Sequence, residues 1–436
     1  MLDRDIIQGR GFRNVVENGE VTGFQFQLRN PNYRGTAGSL LDGIEVAVDG
    51  DRWDEHVPLW TLQGRTFTLD QLRASTGARW QLDEPATVTV PRPGGLSPGV
   101  HDIAATVYLR RPYFPPLIAR SPFPVAAKGV IVPAVPGGKL RYGVSTYSYT
   151  GDIYTSMTLE DVMADIADMG AAGIEILGEG NIPGYPEPAL SWIDAWHGLL
   201  HQYGLTATNY CSWVDTTMWH DRDLTAEEGA AQIRLDLRLA KRLGFTSVRP
   251  KFGVTSWELD PHPVWTEAVE RSLDLAADLD VIICPEIHSP TPIRHRVTQG
   301  YLEFIERTGS KHFKLLIDTG IFQTAPVDDG HEGVETEDGK RPAFLEPLAV
   351  PVADLAEILP HVHFIQAKFF EIDDDLHDLH VPWRPIIETL RQGGWTGWLS
   401  SEYEGRREPY RGRDQVRRQH ALLRSLEAGS TASTSG

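Results

Sequence analysis

Hydrophobic and polar residues alternate at a period of two through much of the first 130 residues. The alternating or β-rich stretches are GFQFQLR (23–29), IEVAVDG (44–50), ATVTVP (86–91) and HDIAATVYLR (101–110). A period of two sends successive side chains to opposite faces of a strand, one buried and one wet. Asp49-Gly50 and PRPGGLSPG (91–99) supply turn chemistry between such strands. No long helical period occurs in this part of the chain. Residues 1–130 are therefore predicted to form an all-β domain. RPYFPP (111–116) and VPAVPGG (132–138) follow, and the second has the composition of a linker, here taken as residues 131–139.

From residue 140 the pattern becomes a regular alternation of short apolar strands and longer helical periods. The predicted strands are 142–149, 173–180, 205–213, 247–253, 281–288, 313–322, 361–370 and 397–405. The predicted helices between and after them are 158–170, 188–203, 225–243, 262–279, 294–309, 380–392 and 413–427. Strands that alternate with helices form a parallel sheet, and eight such units predict a closed (β/α)8 TIM barrel over residues 140–428. The fold class is thus α/β, a barrel preceded by an N-terminal all-β domain. Thr225-x-x-Glu228 reads as a capping box opening the third helix. Residues 323–349 are too long for an ordinary strand-to-helix loop and carry DDGHEGVETEDGK. GSTASTSG (429–436) reads as a disordered tail.

Charge narrows the range of partners. The 436 residues hold 41 Lys plus Arg against 60 Asp plus Glu, a net charge of −19, which opposes nucleic acid and anionic membrane surfaces. Two cysteines, Cys211 and Cys284, rule out a disulfide framework and read as small buried residues. The N-terminus lacks the apolar stretch of a signal peptide, and no run of about 18 apolar residues occurs. The expectation is a cytoplasmic, soluble protein. No dinucleotide fingerprint, P-loop or nucleophile elbow is present.

Barrel active sites form at the C-terminal ends of the strands. Strand five ends with Glu286 and His288, strand six with Asp318, strand seven with Gln366 and Lys368, and strand eight with Glu402 and Glu404. Period two puts the members of each pair on one face. Glu286, Asp318, Gln366 and Glu402 would bring three carboxylates and an amide oxygen to one hard divalent cation, Mn²⁺ or Mg²⁺ rather than structural zinc. His288 is open to three roles: ligand, general base, or an ordinarily hydrogen-bonded histidine. Lys251 and Lys368 can neutralise carboxylates or hold an oxyanion. Trp213, Trp219, Trp257, Phe252, Phe322 and Phe370 lie at or past strand ends; core packing is the default for each, and a flat ligand the alternative.

GIEIL (173–177), CPEIH (284–288), LLIDTG (315–320), FIQAKFF (364–370) and WLSSEYEG (398–405) make residues 140–425 resemble the sugar phosphate isomerase/epimerase group, the xylose isomerase-like barrels. That resemblance implies one divalent cation on Glu286, Asp318, Gln366 and Glu402, with Gln366 departing from the group's more common His. IIQGRGFRNVVENGEVTGFQFQLRNPNYRG (6–35), VDGDRW (48–53) and TVPRPGGLSPGVHDI (89–103) resemble the β subunit of bacterial C-glycoside deglycosidases, whose α subunit is such a barrel. The chain thus looks like a fusion of both subunits.

The resemblance implies a lyase acting on 3-keto glucosides of phenolic aglycones, which a glycoside 3-oxidoreductase supplies. His288 would be the base, with Lys368 and Glu404 beside it. Lys251, Trp213 and Arg34 would contact substrate. Homo-oligomers are compatible with this reading. A divalent-metal-dependent ketosugar isomerase or epimerase is the main alternative, separated by whether free aglycone is released. A carbohydrate-binding protein without chemistry and a barrel endonuclease are less compatible. The carboxylates speak against the first, and the net charge against the second.

Overall fold

The computed structural model describes residues 1–327, 346–348 and 350–432, the side chains of the last three excepted. The chain divides into two compact units. One is Met1–Pro133 with Asp374–Leu376; the other is Ala134–Asp373 and His377–Gly436.

The first unit stacks two antiparallel sheets. The five-stranded sheet has the order Arg13–Glu17, Glu20–Leu28, Ala86–Pro91, Leu59–Leu62, Arg65–Phe67. The four-stranded sheet has the order Arg120–Ile131, Gly99–Arg110, Leu41–Val48, Asp51–Trp53. Alternation does what the sequence pattern predicts: Phe24, Phe26 and Leu28 are fully buried, and Gln25 and Gln27 between them are not. They pack into one apolar core with Trp60, Val88, Ile44, Val46, Ile103 and Val107. Asp49 and Gly50 form a two-residue hairpin between paired Val48 and Asp51, with φ of 49° and 92°. Both angles are positive, as the hairpin turn that matches strand twist requires. Two short helices, Leu69–Ala74 and Pro116–Ala119, interrupt the otherwise all-strand unit. Both are too short to leave a periodic signature in the sequence.

The second unit is the parallel barrel. Its strands are Arg141–Ser145, Gly173–Leu177, Thr206–Val214, Ser247–Phe252, the split fifth strand, Leu315–Asp318, Val362–Phe369 and Trp398–Tyr403. Strand five consists of Ile282–Ile283 and Glu286–Ile287. The first piece pairs with strand four and the second with strand six, which closes the ring. The continuous strand expected over 281–288 is thus broken at Cys284-Pro285, because proline has no N–H to give a ladder. The single helix expected over 262–279 is two, Val264–Glu270 and Leu273–Leu279. Between them Ser272 turns its hydroxyl back onto the Ala268 carbonyl at 2.9 Å, a local bond that competes with the helical ladder.

The long helix Ala226–Leu243 opens as expected. Thr225 Oγ1 accepts from Glu228 N at 3.3 Å, and Glu228 Oε2 accepts from Thr225 N at 2.9 Å. It ends at Gly244, whose φ of 89° is the left-handed stop that favours glycine. The last helix, Arg411–Ala432, runs four residues into the segment read as a disordered tail. Residues 433–436 and the DDGHEGVETEDGK stretch lie outside the described residues. Among the described residues no helix is long and apolar enough to cross a membrane.

Thr225→Ala removes one side of the capping box. It should cost about 1 kcal/mol, read as a lower urea midpoint at unchanged m value, while Thr225→Ser keeps wild-type stability.

Candidate active site

Strand register decides which side chains meet inside the barrel. Asp318 pairs with Gln366, Gln366 with Ser400, and Lys368 with Glu402. Glu286 pairs with Leu316 and Ile287 with Ile317, so His288 and Asp318 come next along their strands. Ligand atoms of Glu286, His288 and Asp318 all lie within 4.8 Å of one another.

Three cations face these acids. Lys251 Nζ lies 3.1 Å and Arg249 Nη1 3.8 Å from Glu286 Oε2. Lys368 Nζ sits 2.7 Å from Asp318 Oδ2, 2.7 Å from Glu404 Oε2 and 2.8 Å from His288 Nε2. Tyr147 donates its hydroxyl to Glu404 Oε1 at 2.9 Å.

These contacts set opposite protonation tendencies. Burial alone would raise every carboxyl here. Lys251 and Arg249 overcome it at Glu286, which is held well below the usual carboxylate range. Lys368 and His288 do the same for Glu404. At Glu402 burial wins over Lys368, and the neighbouring Asp318, Glu175 and Glu286 add to it, so the carboxyl is pushed well up. Burial would lower Lys368, but Asp318 and Glu404 hold its ammonium well above the ordinary lysine value. His288 is lowered by burial and then by Lys368. Its Nδ1 meets the Ser289 carbonyl, an acceptor only, so Nδ1 carries the proton and Nε2 keeps its lone pair. A neutral imidazole with a bare Nε2 can take a proton or bind a metal.

The donor set fits a hard divalent cation. Asp318 Oδ2, Gln366 Oε1 and Glu402 Oε2 are buried and receive no hydrogen bond. Lys368 offsets the first by its charge, but the other two have no ion pair among the described residues. Buried acceptors are seldom left bare, and an all-oxygen donor set suits Mn²⁺ or Mg²⁺.

The other predicted residues are distributed unevenly. Gln366 and Glu402 lie inside the ring, Gln366 with its amide nitrogen on Glu175. Trp213 is half-buried, with the Arg249 guanidinium 5.4 Å from its ring centre. Arg34 lies in the other unit, exposed and 4.9 Å from the Tyr113 ring centre. Phe252, Phe322 and Phe370 are buried as core residues, but Trp219 and Trp257 are 45% and 73% exposed, against the packing expected of them. Cys284 is apolar core. Cys211 is more than that, since its thiol donates to Glu175 at 3.1 Å.

Three residues of the site escaped the sequence reading. Arg249 stands two positions before Lys251 on strand four, a period-two signal that was there to be used. Glu175 is enclosed by the apolar letters of GIEIL, and Tyr147 follows strand one in a turn.

The two units define a class: an all-β domain joined to a (β/α)8 barrel whose mouth holds an acidic, cation-compatible cluster. Residues 163–426 match the family model described as xylose isomerase-like TIM barrel, and residues 2–113 match that of the C-glycoside deglycosidase beta subunit. The chain belongs to the xylose isomerase-like TIM barrel family and carries, ahead of the barrel, a C-glycoside deglycosidase beta subunit domain.

It is 27% identical to the 3'-dehydrocarminate deglycosidase alpha subunit of a Microbacterium species, covering 66% of this chain and 95% of that one. It is 25% identical to a C-glycoside deglycosidase alpha subunit of Arthrobacter globiformis, over 66% of this chain and 93% of that one. The C-glycoside deglycosidase beta subunit of Eubacterium cellulosolvens is 36% identical over 27% of this chain and 80% of its own length.

Lys368→Met removes the positive charge nearest His288 and leaves Asp318 and Glu286. The His288 imidazole should then titrate at higher pH than in the wild type. NMR of the metal-free protein reads this directly, and an unchanged or lower value contradicts the assignment.

Proposed function

We propose that this chain is a metal-dependent lyase that cleaves the glycosidic C–C or C–O bond of 3-keto glycosides. The products are the free aglycone and a 1,2-unsaturated 3-keto sugar. One observation carries the reading: a beta subunit domain and a barrel similar to named deglycosidase alpha subunits occur in a single polypeptide. The acidic barrel mouth supports it.

Glu286, Asp318, Gln366 and Glu402 would hold one Mn²⁺ or related divalent cation. When bound, that ion supplies Lewis acidity beside the sugar's carbon 3 ketone. The ketone acidifies the proton on carbon 2. His288 Nε2 takes that proton, since its tautomer leaves the lone pair free and its lowered basicity keeps it neutral near pH 7. The imidazolium that forms faces Asp318 Oδ2 at 3.6 Å, which stabilises it. The electron pair from the C–H bond becomes the carbon 1–carbon 2 double bond, and the aglycone leaves carbon 1 with the bonding pair. A phenolic aglycone accepts the proton on oxygen or on its ring carbon.

Lys368 and Glu404 set the charge around His288, and Lys251 holds Glu286 ionised. The substrate's 3-ketone implies a preceding glycoside 3-oxidoreductase. Trp213 is a proposed substrate contact.

Positioned bases contribute roughly 10²–10⁴-fold. His288→Ala should lose about that factor in kcat while fold and metal content persist, and exchange of the carbon 2 proton with deuterated water should stop. Loss of metal from this variant would make His288 a ligand instead; exchange at the wild-type rate would point to Glu404 as the base. Mass spectrometry with 3-keto C- and O-glucosides reads aglycone release. Chelation should abolish it, with Mn²⁺ restoring it best. Rearranged sugar without free aglycone favours an isomerase or epimerase.

A further inference from the structure

Among the described residues, Glu175 is an acid inside the barrel with no part in the mechanism above. It is fully buried on strand two, yet no ion pair reaches it among the described residues. Four neutral donors surround it instead. Asn209 Nδ2 at 2.9 Å, Gln366 Nε2 at 2.8 Å and Cys211 Sγ at 3.1 Å meet Oε1, and Ser400 Oγ at 2.9 Å meets Oε2. These donors come from strands three, seven and eight, so the carboxylate spans the barrel interior. Ser247 in turn donates to Asn209 Oδ1 at 2.7 Å, which fixes the Asn209 amide with its nitrogen toward Glu175. Burying a carboxylate is costly, and hydrogen bonds recover only part of the loss. An arrangement of this kind calls for a purpose beyond packing.

Gln366 supplies the purpose. An amide has one donor end and one acceptor end of nearly equal shape, and only its partners decide which way it faces. Oε1 accepts from Asn209, Cys211 and Gln366 at once, so it meets the Gln366 amide as an acceptor and not as a donor. It therefore selects the amide nitrogen of Gln366. The oxygen is left as the opposite end, and that oxygen is buried without any hydrogen bond. Were the amide reversed, two oxygen acceptors would meet at Glu175, and an NH₂ group would stand where the free acceptor now is.

We propose that Glu175 is a positioning residue that orients the Gln366 amide so that its oxygen, not its nitrogen, is offered to the divalent cation. This rests on the metal reading under Proposed function. It makes strand two a determinant of cation affinity although none of its residues is a ligand. It also explains why a glutamine can serve on strand seven: the uncharged amide binds a cation only when its orientation is imposed.

The test measures Mn²⁺ affinity by calorimetry on metal-free full-length protein, with circular dichroism to monitor folding. Glu175→Gln keeps size but offers Gln366 both a donor and an acceptor, so the amide is free to reverse. Second-sphere substitutions typically cost 10–100-fold in metal affinity, and a weakening of about that size is expected. The reciprocal pair Glu175→Gln with Gln366→Glu restores a complementary contact, because a carboxylate at 366 presents oxygen at both ends. It should recover most of the lost affinity. Glu175→Gln with unchanged Mn²⁺ affinity overturns the proposal and leaves the metal reading standing. A wild-type chain that binds no divalent cation refutes the metal reading itself, and the proposal with it. If Glu175→Gln does not fold, the reciprocal pair decides: a folded double variant with wild-type affinity supports the orientation role, and a folded one that binds poorly rejects it.

Discussion

Four carboxylates, Glu286, Asp318, Glu402 and Glu404, converge at the mouth of a barrel from which water is largely excluded. Without compensation their mutual repulsion and lost hydration would favour protonation or unfolding. Compensation is distributed rather than global. Arg249 and Lys251 act on Glu286, and Lys368 acts on Asp318 and Glu404 together. Glu402 is left with an oxygen that no described residue satisfies. The result is an asymmetric field: one side ionised and clamped, the other still short of positive charge.

That field also prepares the imidazole. Lys368 stands against His288 Nε2 and discourages its protonation, while Asp318 stands ready to stabilise the charged form. The Ser289 carbonyl settles the tautomer from the other side of the ring. A base that is neutral at rest and stabilised once charged suits proton abstraction next to a carbonyl. The loop after strand four is held in a comparable way. Glu258 and Asp260 pair with His295 and Arg296, and Thr291 donates to the Glu258 carbonyl. Trp257 is exposed on this loop.

Much of the fold was legible in the chain. Period-two alternation located four of the first unit's strands, since one face of each sheet is core and the other is not, but Arg13–Glu17, Leu59–Leu62, Arg65–Phe67 and Arg120–Ile131 were not read. Alternating strand and helix lengths located the barrel. The departures have local causes: Pro285 breaks strand five, Ser272 divides a helix, and the short helices of the first unit lack a readable period. In the site, strand-end position singled out Glu286, His288, Asp318, Lys368 and Glu404 before any packing was known. Glu175 stayed hidden because a lone acid within an apolar strand carries no periodic signal; Trp257 was named, but its exposure is not written in residue type.

The amino-acid sequence by itself determined which residues share a strand face and which stand at a strand end, because both depend only on the two-residue repeat of extended backbone. Tertiary structure alone decided the partners across the barrel. Gln366 meets Glu175 over 191 positions of chain, and Lys368 reaches His288 over 80. Such contacts depend on how strands register around a closed ring, and with them come the protonation states, the free amide oxygen and the imidazole tautomer. These are properties of neighbours in space, and a one-dimensional pattern does not record them.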